Sequence, residues 1–188
     1  MKQNCRELLE NSPIIAAVKC DEDLKMCLTT DCGIVFLLYG NLMTIPEIVR
    51  NVKNSGKMAF VHIDLIEGLH HDPIAVDYIA EKTQADGIIS TNAAMIRRAG
   101  ECSLLTVMRF FLIDSIALEN MKRQSARCRP DIIEILPALA PKKMKTILNE
   151  AHAPVIASGL IRDREDVLSL LNAGVCAVSS TNHAVWRL

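Results

Sequence analysis

Ile34-Val35-Phe36-Leu37-Leu38 is an unbroken run of β-branched and large apolar side chains that ends at Tyr39-Gly40. A strand with one wet face alternates apolar and polar residues. This run does not, so both of its faces must be covered, as in a parallel sheet flanked by helices. Similar runs begin near Ile14, Met58, Gly87, Leu104, Ile132, Pro154 and Ala177. Successive starts lie 17 to 29 residues apart, enough for one strand and one crossover helix.

Helix signals fill the gaps. Thr44 with Glu47 predicts a capping box around Pro46, and Gly56 stands where that helix should stop. Asn92 can cap a helix running to Gly100, and Asp114 or Ser115 can open the next. Pro141 begins another through Glu150, and Asp163 begins one that ends near Gly174. Eight strands alternating with helices predict an α/β fold, a compact (β/α)8 TIM-type barrel formed by residues 1–188 as a single domain. Such barrels typically need about 250 residues. With 188, some outer helices must be short or missing, and barely one turn remains after the eighth strand. An open doubly wound sheet with fewer strands is the alternative.

Composition narrows the function. The chain is 50% hydrophobic and 23% charged, which excludes a disordered or low-complexity protein. Its formal net charge of −1 gives no global basic field, so nucleic acid could be held only by a local patch. The seven cysteines form no CxxC pair and no zinc-finger spacing, which fits reduced thiols in the cytoplasm. No apolar segment approaches the roughly 18 residues of a membrane span, and no signal peptide is visible. His70-His71-Asp72 looks like a metal cluster, but adjacent histidines rarely converge on one ion, so no metal is expected. P-loop, GxGxxG and nucleophile-elbow patterns are absent. Lys19, at the end of the first strand, is a weak basis for a Schiff base. Neither a catalytic residue nor a cofactor is assigned.

Barrels carry function at the carboxyl ends of their strands. Here those positions are Lys19, Tyr39-Gly40, His62, Asp64, Ser90-Thr91, Arg109, Glu134, Ser158-Gly159 and Ser179-Ser180-Thr181. Their polarity contrasts with the apolar runs they terminate and predicts a polar pocket. The loops after strands seven and eight commonly hold phosphate, which makes Ser158, Gly159, Ser179, Ser180 and Thr181 the candidate phosphate ligands. The Asp163 cap would occupy one helix's own free amides. Asp64 and Glu134 are candidate hydroxyl-binding or acid/base carboxylates. His62 shares a strand parity with Asp64, and Lys19 and Arg109 could balance the carboxylates. Basic clusters at Arg97-Arg98, Lys122 to Arg129, Lys142 to Lys145 and Arg162 with Arg164 read mostly as solvated helix faces.

Six motifs in order add a resemblance. They are His62-Ile63-Asp64-Leu65-Ile66-Glu67-Gly68-Leu69, Asp86-Gly87-Ile88-Ile89-Ser90-Thr91-Asn92 and Arg109-Phe110-Phe111-Leu112-Ile113-Asp114-Ser115. The others are Pro130-Asp131-Ile132-Ile133-Glu134-Ile135-Leu136-Pro137, Ala157-Ser158-Gly159-Leu160-Ile161-Arg162, and Ser179-Ser180-Thr181-Asn182 with Trp186. Together they resemble the glycerol-3-phosphate-responsive antiterminators, regulators of glycerol uptake and metabolism operons. The resemblance implies a barrel that senses glycerol 3-phosphate and binds leader mRNA to prevent termination. Arg162 and Arg164, with Lys142 and Lys143 as alternatives, are then the candidate RNA contacts near the pocket mouth. Two positions depart from the family pattern: Ala138 and Ser158 stand where glycine is usual. The rival reading is a small barrel enzyme acting on a phosphorylated metabolite, with Asp64 and Glu134 as its acid/base pair. Oligomeric state is left open, a homo-oligomer included.

Overall fold

All eight apolar runs become strands of a closed parallel barrel in the computed structural model, which describes residues 4–70 and 72–188. The strands are β1 (Ile14–Val18), β2 (Ile34–Leu37), β3 (Met58–His62), β4 (Gly87–Ser90), β5 (Leu105–Phe111), β6 (Ile132–Leu136), β7 (Val155–Ser158) and β8 (Ala177–Ser180). They pair in chain order, and β8 closes the ring by pairing in parallel with β1.

Seven helices cross back over the outside: α2 (Asp21–Cys27), α3 (Ile45–Asn54), α4 (Ile74–Lys82), α5 (Ala93–Glu101), α6 (Ser115–Cys128), α7 (Pro141–Glu150) and α8 (Arg164–Asn172). After β8 there is only a 3-10 turn, Val185–Arg187. The shortage of length is thus met after the last strand, and by a seven-residue α2.

The remaining helix, α1 (Cys5–Asn11), precedes the barrel and was not expected from the sequence. Its Leu9 is buried against the inward-facing residues Ile15, Phe36, Phe60, Val107 and Ile156, so α1 helps to close the end opposite the strand carboxyl termini. Alternate strand residues fill the lumen, while the other parity packs beneath the helices. Phe36 and Phe60 meet there with ring centroids 5.6 Å apart. Gly87 makes room for them: a Cβ there would lie 2.4 Å from the Phe60 ring.

Caps follow the sequence in three places. Asn92 accepts from the Ala94 amide, Asp114 from Ala117 and Asp163 from Asp166. The Thr44/Glu47 capping box does not form. Asn41 displaces it by accepting from the Met43 and Thr44 amides, while the Thr44 hydroxyl accepts from the Asn41 amide. A side chain bonding its own turn has outcompeted the box. No helix of the described residues is long and apolar enough to cross a membrane.

Candidate ligand-binding site

The strand parity that buries Phe60, Val107, Ile132, Ile156 and Ala177 in the lumen places His62, Arg109, Glu134, Ser158 and Ser179 one layer nearer the carboxyl end. Arg109 and Glu134 are direct partners in the β5–β6 register. Their side chains form a buried bidentate pair, with Nε donating to Oε2 at 2.7 Å and Nη2 to Oε1 at 3.3 Å. The Ser158 hydroxyl also donates to Glu134 Oε1. Glu134 is completely buried, so these bonds and the guanidinium charge are what keep a carboxylate tolerable there.

A cavity of about 150 Å³ opens at this layer. Arg109, Glu134, Ser158 and Ser179 are among its lining, with Gly159, Leu160, Ile161, Ser180, Thr181 and Asn182 from the loops after β7 and β8. Gly159 and Leu160 both have positive φ, +79° and +60°. The first suits glycine; the second is an exposed leucine held in a left-handed conformation that L-residues disfavour. Leu136 and Pro137, joined by a cis bond, lie beside Gly159. Among the described residues the amides of Leu160, Ile161 and Thr181 meet no acceptor, and the Ser179 hydroxyl has no partner.

Asn182 ties the two loops together. Its Nδ2 donates to the Arg162 carbonyl at 2.8 Å, its amide to Ser180 Oγ, and its Oδ1 accepts from the Ala184 amide. Sequence reasoning named Asn182 only within a family motif and gave it no role, although Asn two residues after a strand is a turn former. Ser180 faces away from the lumen layer and donates to the Ile161 carbonyl at 3.3 Å, which makes it a brace between the loops.

The other candidates are distributed around the mouth. Asp64 lies in a 3-10 turn, Ile63–Leu65, after β3 has ended at His62. The strand-parity argument therefore does not apply to this pair. They are nonetheless near one another, His62 Nδ1 to Asp64 Oδ2 being 4.0 Å. Asp64 accepts from the Ser90 hydroxyl at 2.6 Å and from the Thr91 amide and hydroxyl at 2.7 and 2.9 Å, pinning the ends of β3 and β4 together. His62 is buried, and its Nδ1 makes no hydrogen bond among the described residues. Burial, and then the nearby Arg109 charge, hold its pKa down at about 4 against the opposing pull of Asp64. Neither His62 nor Asp64 lines the cavity.

Lys19 is exposed at the end of β1, where its amide donates to Asp23. Asp23 in turn meets His183 Nε2 at 2.7 Å. Burial pushes the Asp23 carboxyl up, but the Lys19 amide and His183 outweigh it and leave its pKa lowered. Lys142, Lys143, Arg162 and Arg164 are all exposed at the start of α7 and α8. Of His70-His71-Asp72, His71 lies outside the described residues.

Residues 14–186 match the family described as glycerol-3-phosphate responsive antiterminator. A glycerol uptake operon antiterminator regulatory protein from Listeria monocytogenes superposes with a TM-score of 0.90 at 32% identity, covering 94% of this chain and 95% of that one. A glycerol uptake operon antiterminator-related protein from Thermotoga maritima gives 0.82 at 30%, covering 93% and 98%. The uncharacterized protein YgcP of Escherichia coli K12 is 42% identical over 181 residues, 96% of this chain and 95% of its own length. A match across nearly the whole barrel, through every loop of the cavity, establishes that the chain belongs to the glycerol-3-phosphate responsive antiterminator family.

Proposed function

We propose that this protein senses glycerol 3-phosphate in the β5–β8 cavity and, with the effector bound, engages leader mRNA to prevent transcription termination. The observation that carries the effector half is the convergence of unpaired donors on one small cavity. Leu160, Ile161, Thr181 and Ser179, whose amides or hydroxyl are unpaired among the described residues, line it, and the buried Arg109 lines it too. Backbone amides, a hydroxyl and a guanidinium are the donors a phosphate requires. The Ser158 hydroxyl is engaged by Glu134, so its part is to hold that carboxylate. The Asp163 and Asp166 side chains already serve the first amides of α8 and its approach, which leaves the task to the Gly159–Ile161 turn.

The glycerol hydroxyls would meet Glu134, while His62, Asp64 and Lys19, which do not line the cavity, would act only from outside its wall. Effector is held and released unchanged. Glu134 is enclosed by Arg109 and Ser158, and Asp64 by Ser90 and Thr91. An acid/base pair needs carboxyls free to exchange protons with a substrate.

RNA contact is drawn to the same face. The first turn of α7 holds Lys142 and Lys143 and no acid, whereas Arg162 and Arg164 at the start of α8 stand among Asp163, Glu165 and Asp166. In α7, therefore, cations oppose the helix dipole at its N-terminus, an arrangement that an anionic partner would compensate. Calorimetric titration with glycerol 3-phosphate, glycerol and inorganic phosphate tests the effector half. Glycerol 3-phosphate should bind most tightly, phosphate weakly and glycerol not measurably. Equal affinity for phosphate and glycerol 3-phosphate would overturn the hydroxyl contacts, and no binding by any of them would overturn the sensor.

A further inference from the structure

Six of the twenty described lysines and arginines pair with a carboxylate. Arg6 pairs with Glu10, Lys53 with Asp86, Arg98 with Asp77 and Glu101, and Lys122 with Glu119 and Glu150. Among the others, Arg97 on α5 and Arg127 and Arg129 at the carboxyl end of α6 are exposed, and Arg97 and Arg129 share one cleft. Two clefts open there, on the rim opposite the effector mouth. One, of about 450 Å³, is lined by Ser125, Arg129, Pro130 and His152 among others. Its neighbour, of about 340 Å³, is lined by Arg97, Glu101, Thr106 and Arg129 among others. Arg129 is common to both, so the clefts adjoin across its side chain. The one acid lining either of them, Glu101, is engaged by Arg98 at 2.9 Å.

Arg127 alone would be ordinary, because a helix C-terminus welcomes a cation. Arg129 is different. It caps α6 in the left-handed region, φ +45°, a position where glycine would be unstrained. A guanidinium kept at some backbone cost, between two clefts and without a carboxylate, points to a ligand that supplies the negative charge.

We propose that this double cleft binds the phosphodiester backbone of helical RNA, as an anchor separate from the effector pocket. The proposal rests on the RNA half of the function above and adds a second contact surface to it. Arginine's planar fork suits phosphate oxygens. None of the molecule's large exposed apolar residues lines either cleft, so neither offers an apolar anchor for a protein partner. No Phe, Tyr or Trp lines them either, so stacking of single-stranded bases is not provided for. A-form stems, read through backbone and shape, match such a surface.

The test uses a fluorescent RNA duplex of about 16 base pairs and an oligouridine strand of similar length, titrated at several salt concentrations. The full-length protein is compared with the Arg97→Gln/Arg129→Gly variant and with Arg162→Glu/Arg164→Glu. The Arg129→Gly change removes the backbone strain, so lost binding could not be ascribed to a damaged fold, and unchanged glycerol 3-phosphate affinity provides the control. Wild type should prefer the duplex, and the groove variant should bind it about tenfold more weakly, with a salt slope shallower by about 2. Duplex affinity unaltered by the groove variant but reduced by the mouth variant would overturn the anchor and leave the proposed function intact. Preference for oligouridine would overturn the helical ligand. Failure of wild type to bind either RNA would remove the RNA half of the function together with the anchor.

Discussion

Arg109 and Glu134 face each other across the β5–β6 register inside the lumen, with 2.7 Å between Nε and Oε2, and line the β5–β8 cavity. This pair has two consequences that pull in opposite directions. It satisfies a buried carboxylate, and it partly neutralises the guanidinium that an anionic ligand would use.

Glu134→Gln separates the two. Removing one partner of a buried ion pair leaves the other uncompensated, a cost of about 3 to 5 kcal/mol. The variant should therefore unfold at lower urea concentration than wild type, yet bind glycerol 3-phosphate more tightly because Arg109 is released. Weaker binding, with the fold retained, would mean that Glu134 contacts the ligand more than it restrains Arg109.

His62 gives the fold a dependence on mild acid. Its pKa in the folded chain, about 4, lies below the unfolded value of about 6.5, so the unfolded state takes up the proton first. The stability held by its neutral form is fully present above about pH 6.5 and is lost as pH falls toward 4. At pH 5 the loss amounts to about 2 kcal/mol. Urea unfolding at pH 7 and pH 5 should show this decline in wild type and a smaller one in His62→Gln. Equal declines would assign the acid sensitivity to the carboxylates.

Gly159 distinguishes backbone strain from charge. A Cβ there would have room, the nearest atom being Pro137 Cα at 3.7 Å, but φ +79° makes any side chain strained. Gly159→Ala should cost about 1 to 2 kcal/mol and weaken effector binding modestly. Gly159→Asp places a negative charge beside the phosphate and should abolish binding in calorimetry. Unchanged affinity in Gly159→Asp would remove these loops from the site.

Charge reversal at Arg162 and Arg164 probes the mouth. If these side chains meet RNA phosphates, wild-type affinity should fall steeply with salt and the double variant should lose part of that slope. A salt-independent titration in wild type would argue against backbone contact at this face.

Much of this architecture was legible in the chain. Unbroken apolar runs such as 34–38 mark parallel strands because both faces are buried, and each begins within one residue of where its strand does. Asn92, Asp114 and Asp163 were legible as caps because their chemistry is local. Less visible was what depends on distant residues. Leu9 makes α1 a cover for the barrel end only because the lumen exists to receive it. Thr44 loses its capping box to Asn41, a competition among near-equal local bonds. Of the strand-end residues, His62, Arg109, Glu134, Ser158 and Ser179 share one layer by parity, but parity could not tell that β3 turns at His62, nor that Asn182 would lace the last two loops together. Left-handed Leu160 and Arg129 carry no sequence signature, since neither is a residue that favours that conformation.

Phosphorus NMR of glycerol 3-phosphate, recorded with and without the purified protein over hours, tests the central claim most directly. A broadened or shifted resonance with no new species is predicted by the proposed binding of the phosphate without turnover. A new phosphorus resonance would make the protein an enzyme, and an unchanged spectrum would mean that glycerol 3-phosphate is not its effector; either contradicts the account.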